Sequence, residues 1–500
     1  MSVRLSAPVP ALLAASLSLS ACSVGPDYVV PVLNLPLRWA NAAPAEPRAR
    51  PPEPDRPARP DLAEWWKGFN DPLLNALVAE AVAGNLDVTA ARAAIREARA
   101  SQRQQSARLL PFVDGGASAA RTRTGGGSNG DSSTRNSFRA GFDAGWELDL
   151  FGGNSRAVEA ATRGLEVAEN DLRATLLTLV GDVTDAYVQL RGYQARIALA
   201  RRTAASQRAT AALTRSMFDA GSASALDLSR ATAQAASTEA GIPALEAAYA
   251  DTLHQLGVLL GQSPAALAAR IDPVRPIPAP GPMPAAGVPA DLLLARPDLR
   301  AAERQLAQAT ALIGQAEAQR YPNVSLSGTL STSALKIGDL AKSSAITWSI
   351  GPSVSLPIFD AGERAAAVEG TQAQRDRYHA MFRSTVLQAL REVESALVAL
   401  GQERIRAARL GEAAAANRQA AQLSRALFQT GASSFLDVLD AERSLYSSED
   451  SLLQSRIAIA TDTIALHKAL GGGWDGAIDT TTPDIVDAQM GPRLRRAATR

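Results

Sequence analysis

The sequence holds one cysteine, three histidines and almost no net charge, and each scarcity removes a class of function. With Cys22 alone, no disulfide can form within the chain. His254, His379 and His467 each fall in a helical pattern without a ligand-spaced partner, so no metal centre or histidine-based catalytic site is readable. Fifty-one basic residues face 50 acidic ones, a net charge of +1, which leaves no field to hold nucleic acid. Nucleophile elbow, P-loop and dinucleotide fingerprint are missing, and the glycine-rich stretch Gly125 to Gly130 lies between strands, where it reads as a loop tip. No enzyme is expected. Beyond the start of the chain, no apolar run reaches the roughly 18 residues of a transmembrane helix. A membrane crossing here has to be a β-barrel.

What is present begins with a secretory signal. Arg4 precedes a small, mostly apolar run from Ala11 to Ala21 that stops at Cys22 and is too short to span a bilayer. Leu19-Ser20-Ala21-Cys22 matches the bacterial lipobox, so residues 1–21 are expected to be removed and the Cys22 thiol to carry a covalent lipid. The bland alternative is an ordinary cleaved signal with a stray thiol. Ser23 stands where an aspartate would resemble the inner-membrane retention signal, so the likeness to lipoproteins favours the outer membrane. No other cofactor is expected.

The most informative feature is an internal duplication. Phe218, Gly221, Leu226, Asp227 and Leu228 recur 210 positions later as Phe428, Gly431, Leu436, Asp437 and Val438. The same offset carries Val158-Glu159 onto Val368-Glu369 and Leu260-Gly261 onto Leu470-Gly471. Upstream the offset becomes 211, relating Asp87, Ala91, Pro111 and Val113 to Asp298, Ala302, Pro322 and Val324. The expected organisation is a signal peptide (1–21), a lipid-anchored Pro-rich linker (22–61), a first repeat (62–269), an inter-repeat linker (270–290), a second repeat (291–473) and a tail (474–500).

Within each repeat the hydrophobic period changes. Phe138, Ala140, Phe142, Ala144, Trp146, Leu148 and Leu150 alternate with polar residues and glycine, which is strand periodicity, as do Ile346, Trp348, Ile350, Val354, Leu356 and Ile358. A second strand precedes each of these: Val324, Leu326 and Leu330 mark one, and the Gly- and Ala-rich run after Pro111 is the other, much less clear. Gly125 to Asn136 and Leu335 to Ser344 read as hairpin loops. A long helix follows, from about Ala157 to Ala220, with a seam at Leu165, Leu172, Leu176, Leu179, Val183, Tyr187, Leu190 and Ile197. Phe382, Val386, Val393, Leu397 and Leu400 echo it. At ~1.5 Å per residue such a helix is roughly 95 Å long, which suits a tall assembly. Gly221 and Gly431 are expected to end these helices, and Gly241 with Pro243 to interrupt the return helix of the first repeat.

A strand that is apolar on one face fits either a soluble core or a barrel wall. Strand length, Trp146 and Trp348 as interfacial residues, and the lipid-anchor signal favour the wall. Four strands cannot close a barrel, because about eight is the minimum and open edges are not viable in lipid. Two copies would fill their interior with side chains; three would leave a lumen.

These residues resemble the TolC-like outer membrane efflux proteins, in the lipoprotein branch that serves resistance-nodulation-division (RND) pumps. The marks are Cys22 to Tyr28 (CSVGPDY), Trp65 to Leu74 (WWKGFNDPLL), Trp146 to Gly152 (WELDLFG), Arg296 to Pro322, Leu356 to Gly362 (LPIFDAG) and Ala469 to Trp474 (ALGGGW). The resemblance implies an α+β membrane protein: a homotrimer with a twelve-stranded outer-membrane β-barrel, four strands per subunit, continued by a helical coiled-coil periplasmic tunnel. It implies as partners a periplasmic adaptor, an inner-membrane RND transporter and outer-membrane lipid. In that family acidic residues after the second-repeat turn ring the periplasmic aperture, and the matching positions are Asp437 and Asp440. Asp437 reads equally as a helix cap, since its mate Asp227 is also acidic; the mate of Asp440 is Arg230, so the fold does not demand an acid there. Phe428 and Ser433 stand where the family's closed-state latch carries a tyrosine and an arginine. The turns at Gly221, Ser222 and Ala223 and at Gly431, Ala432 and Ser433 are small enough to pack against adaptor hairpins, or are simply tight turns.

Type I secretion and metal-ion efflux remain open within the channel class. In a different class stands a structural adaptor lipoprotein, which would carry one helical hairpin inside a small β domain instead of two. The channel reading predicts heat-modifiable trimers in outer-membrane fractions and ion conductance in planar bilayers. Soluble monomers without conductance, once the lipid anchor is removed, would overturn it.

Overall fold

The computed structural model describes residues 23–33, 36, 39–41, 64–125, 133–281, 296–474 and 476–483. Cys22, the signal peptide and most of the proline-rich linker and tail lie outside the described residues. In chain order the main elements are α1 (Pro72–Gly84), α2 (Leu86–Ala107), β1 (Phe112–Thr124), β2 (Ser133–Leu148), α3 (Gly153–Asp219) and α4 (Ala225–Leu259). A single turn α5 (Ala268–Ile271) follows, then α6 (Pro297–Ala318), β3 (Asn323–Ala334), β4 (Ile346–Ser355), α7 (Glu363–Gln429) and α8 (Phe435–Ala469).

The duplication is carried by the elements themselves. Helices α2 and α6 have 22 residues each, α3 and α7 have 67, and α4 and α8 have 35. At the ends of the long hairpins, Gly221 and Gly431 take φ of 73° and 72°, a left-handed backbone that a side chain would strain. Each closes its helix through the same pair of bonds. Gly221 N–H donates to Phe218 and Ser222 N–H to Met217, while Gly431 N–H donates to Phe428 and Ala432 N–H to Leu427, satisfying carbonyls the helix end leaves open.

Two compact units make up the chain. The first comprises residues 1–32, 94–169 and 301–383. It contains one antiparallel sheet in the order β1-β2-β3-β4. Among the described residues no layer covers the apolar face: Phe142 is 60% exposed, Leu330 50%, Trp348 73% and Ile350 68%. A soluble sheet would bury that face, so the alternative of a water-soluble core does not hold for the described residues. The other face is a row of hydroxyls, with Thr329 meeting Ser349 at 3.0 Å and Ser331 meeting Thr347 at 3.2 Å. In the same unit the segment after Cys22 lies along α3 and α6. Val24 N–H donates to Phe151 O, Arg156 reaches Asp27 at 2.7 Å, and Tyr28 OH donates to Glu303 at 2.6 Å. Gly25 and Gly314 are in such close approach that a Cβ on Gly25 would stand 2.4 Å from the Gly314 Cα.

The second unit comprises residues 33–93, 170–300 and 384–500. The α3 seam is its core: Leu172, Leu176, Leu179, Val183, Tyr187, Leu190 and Ile197 are buried. Phe382 in the first unit, with Val393 and Leu400 here, does the same along α7. Asn85 and Arg296, 211 residues apart, perform one task with different chemistry. Asn85 Nδ2 donates to Leu259 O at the end of α4, and Arg296 Nη1 donates to Ala469 O at the end of α8. The short 3-10 turn Trp65–Phe69 stacks Trp65 on His467 (4.9 Å, 7°) and Trp66 on Trp474 (6.0 Å, 9°). Burial pushes the His467 imidazole down to about 4, so it is a neutral plate at physiological pH. Asp71 caps α1 through the Leu73 and Leu74 amides and accepts the Tyr187 hydroxyl at 2.6 Å. Fully buried Arg191 lies over the Tyr187 ring and donates to the Ile271 and Pro273 carbonyls, fastening the start of the inter-repeat linker.

The run after Pro111 is the expected strand, 13 residues long and held by its ladder to β2 although it lacks clean alternation. Three expectations change. Leu150, Leu356 and Ile358, expected in the alternating strands, lie beyond β2 and β4, which end at Leu148 and Ser355. Ser133 to Asn136, expected in a loop, belong to β2, because the ladder to Arg121–Thr124 continues past the last apolar pair. Gly241 and Pro243 do not interrupt α4, which runs through both. Pro243 is exposed, so the carbonyl it leaves without an amide partner can turn to water.

Candidate functional site

The sequence places its candidate gate at the α7–α8 turn, and the local chemistry there is a helix cap. Ser434 accepts the Asp437 N–H while Asp437 Oδ2 accepts the Ser434 N–H at 3.0 Å, a reciprocal capping box. The same oxygen accepts the Ser433 and Ser434 hydroxyls, both at 2.8 Å. These hydroxyl bonds, Ser434 first and Ser433 next, hold the Asp437 carboxyl below its ordinary range. The first repeat builds the same box from Ser224 and Asp227. Asp440, by contrast, is exposed one turn further along α8 and makes no hydrogen bond or ion pair among the described residues. The two candidate acids therefore differ: Asp437 is engaged by its own turn, and Asp440 is free to face solvent.

Phe428 is buried, edge-on to Phe435 at 5.7 Å and packed with Ala231 and Val438. It fastens the tip by apolar contact. Ser433 is spent on the cap. The turn residues Gly221, Ser222, Gly431 and Ala432 are exposed, with Ala223 and Ser433 half-buried, and Leu226 and Leu436 beside them are 57% and 53% exposed.

A polar cluster that sequence reasoning missed lies just behind the tip. Glu442 on α8 is 4% exposed; it accepts Arg425 Nε of α7 at 2.7 Å and the Thr210 hydroxyl of α3 at 3.0 Å. Arg425 Nη2 also donates to Ser206 of α3 at 2.7 Å. Within this one unit, the α7–α8 hairpin is thus tied to α3 by a buried carboxylate with charge-assisted bonds. A signal existed: Glu442 follows Phe435 and Val438 at helical spacing, an acid on an apolar seam.

A model of the outer membrane efflux protein family matches residues 77–262 and again 288–472, once per repeat. The chain belongs to that family. Among its relatives, the pyoverdine export outer membrane protein OpmQ of Pseudomonas aeruginosa is 31% identical over 93% of this chain and 96% of its own length. The toluene efflux pump outer membrane protein TtgI of Pseudomonas putida is 32% identical over 92% and 97%. The solved outer-membrane channel OprN superposes with a TM-score of 0.81 at 37% identity, covering 91% of this chain and all of that one. This efflux protein is accordingly an outer-membrane channel of the tripartite-pump type. Its sheet supplies four strands of a twelve-stranded barrel and its long helices the wall of a tunnel. Proteins of this family are channels.

The cap yields a pH expectation. A depressed carboxyl contributes stability above its unfolded value and loses it as pH falls through the folded value. The protection factors of the first α8 amides, in which the intrinsic pH dependence of exchange is divided out, should therefore be flat from neutral pH to about pH 5 and fall only in stronger acid. Ser434→Ala should lower them at neutral pH, by about five-fold.

Proposed function

We propose that three copies of this chain form a lipid-anchored exit duct, carrying drugs or other small molecules passively from a periplasmic pump to the exterior. Cys22 carries the lipid. The partners are a periplasmic adaptor, which packs on the exposed tips around Gly221 to Ala223 and Gly431 to Ser433, and an inner-membrane RND transporter. Exposed Leu226 and Leu436, in equivalent positions beside the two tips, support an apolar adaptor contact. The export of pyoverdine and of toluene by relatives supports a small-molecule cargo.

The duct is gated at its periplasmic end, and the observation that carries this is the Glu442 cluster. It holds the inner hairpin against α3 at the point where three hairpins would converge. Asp440 supplies the aperture charge, because it is exposed and unengaged among the described residues, whereas Asp437 is oriented by the cap through Oδ2. Three like charges at a narrow mouth attract cations and resist closure.

Planar-bilayer recording with the full-length protein tests the gate. Glu442→Gln keeps the shape but removes the charge that Arg425 needs, and should raise conductance several-fold. Asp440→Asn should lower cation preference without opening the channel. Unchanged conductance in assembled Glu442→Gln trimers sinks the clamp. The anchor is tested separately: metabolic palmitate labelling should disappear in Cys22→Ser, and labelling that persists would place the lipid elsewhere.

A further inference from the structure

The strands β1 and β2 carry four arginines, and their register sorts them by face, because residues directly opposite in an antiparallel ladder project to the same side. Arg121 stands opposite Asn136 and Arg123 opposite Thr134, on the parity of Phe138 and Phe142. Arg135 and Arg139 stand opposite Thr122 and Ser118, on the other parity. Two contacts fix which side is which. A Cβ on Gly115 would meet the Phe142 ring at 3.3 Å, so the odd-numbered residues of β1 share the apolar face. Arg139 reaches the Ser331 hydroxyl at 3.5 Å, in the hydroxyl row. In the barrel, two of the arginines therefore face the lumen and two face lipid.

Height along the strand decides what the lipid-facing pair meets. Phe112 and Leu148 lead into the helices, which are periplasmic, so the ends at Thr124 and Ser133 point outward from the cell. From Trp146 to Asn136, which is opposite Arg121, β2 climbs ten residues, about 34 Å at ~3.4 Å each. At a tilt of about 40° this is a rise of about 26 Å, the height of the apolar band of an outer-membrane barrel. Arg121 and Arg123 thus stand at the outer rim of that band, level with the headgroups of the outer leaflet. Lys336 is exposed just past the outer end of β3 and adds a third cation to the rim. Strand pairing does not call for arginine here, since the second hairpin pairs Thr332 with Ile346 where the first pairs Arg121 with Asn136.

We propose that Arg121 and Arg123 form a binding site for the phosphates of lipid A, the phosphorylated glycolipid of the outer leaflet. The proposal rests on the outer-membrane barrel described above. A guanidinium presents a planar fork of N–H donors that matches phosphate oxygens two at a time. Alternate residues of a strand are about 6.8 Å apart, so both forks can converge on one headgroup. Asn136 and Thr134, directly opposite, bring an amide and a hydroxyl to the same level for the sugar. Below them on the same face, Ala119 and Ala117 are small and exposed, so an acyl chain can lie against β1 directly under the cations. The site combines charge above with apolar surface beneath, the two halves of a lipid.

Native mass spectrometry of the full-length protein tests this, using heat-modifiable trimers purified from outer membranes, stripped of lipid and titrated in detergent with bisphosphoryl lipid A. Binding should saturate at one lipid per subunit. Arg121→Gln with Arg123→Gln should weaken it by about ten-fold. Arg135→Gln with Arg139→Gln removes the same charge from the same strands on the lumen side and should leave it unchanged. Monophosphoryl lipid A and phosphatidylglycerol should bind several-fold more weakly, and excess inorganic phosphate should not displace the lipid. Equal weakening by both arginine pairs, no weakening by the rim pair, or phosphatidylglycerol binding as tightly as lipid A overturns the site. Displacement by inorganic phosphate reduces it to a simple anion site and overturns it as well. Planar-bilayer conductance of the same preparations separates this from the barrel: conducting trimers that fail the lipid test sink the site alone, whereas wild-type protein that forms no conducting trimer sinks the barrel reading and the site with it.

Discussion

A backbone amide that enters lipid must find its carbonyl within protein, because hydrocarbon offers none. A four-stranded sheet meets that demand everywhere but at its two outer strands. The sheet of this chain is therefore an unfinished object, apolar on one face and hydroxylic on the other, with no layer among the described residues to cover either. Oligomerisation is the condition under which its hydrogen-bond inventory closes. The long helices inherit the consequence, since each strand pair delivers one helical hairpin and closure of the sheet gathers the hairpins into a wall.

The two repeats meet common requirements with partly different residues. Both long helices end on a left-handed glycine, and both return helices begin with a serine–aspartate box. The carbonyl end of each return helix is held by Asn85 in one repeat and by Arg296 in the other, which also pairs with Asp298 and Glu392. Where the fold alone sets the requirement, the chemistry is kept or substituted like for like. The repeats differ at Asp440 against Arg230 and at Glu442 against Thr232, and there Glu442 ties its hairpin to α3 whereas the Thr232 hydroxyl bonds back to Leu228 O of its own helix.

Much of this was legible because it is periodic. The α3 seam, the alternation of β2 and β4, the glycine stops and the duplication all repeat at short or fixed spacing, whereas the marks near either end of the chain were read from their resemblance to a family. Gly25, Asp27 and Tyr28 of the first mark each make a specific contact in the first unit, and the WW and GGGW marks meet by ring stacking in the second. β1 was faint because ladder hydrogen bonds hold glycine and alanine as readily as valine. The continuity of α4 was missed because a proline at an exposed position withdraws one bond and no packing. Arg425, Glu442 and Thr210 were invisible for a different reason: the bond from Thr210 to Glu442 spans 232 residues, and no local pattern encodes a meeting of three helices.

The close approach of Gly25 to Gly314 bears on how the protein sits in its membrane. Ser23 already rests against Gly152, and by Gly25 the chain is wedged on α6 with no space for a side chain. A lipid on Cys22 would then be tethered with one residue of slack. Such an anchor does more than keep a subunit from drifting away. Under the lipid-anchored reading it would act as a depth stop, fixing the level at which the acyl chains enter the leaflet relative to the foot of the strands, so that each subunit would arrive for assembly at the same height and with its bare edges aligned.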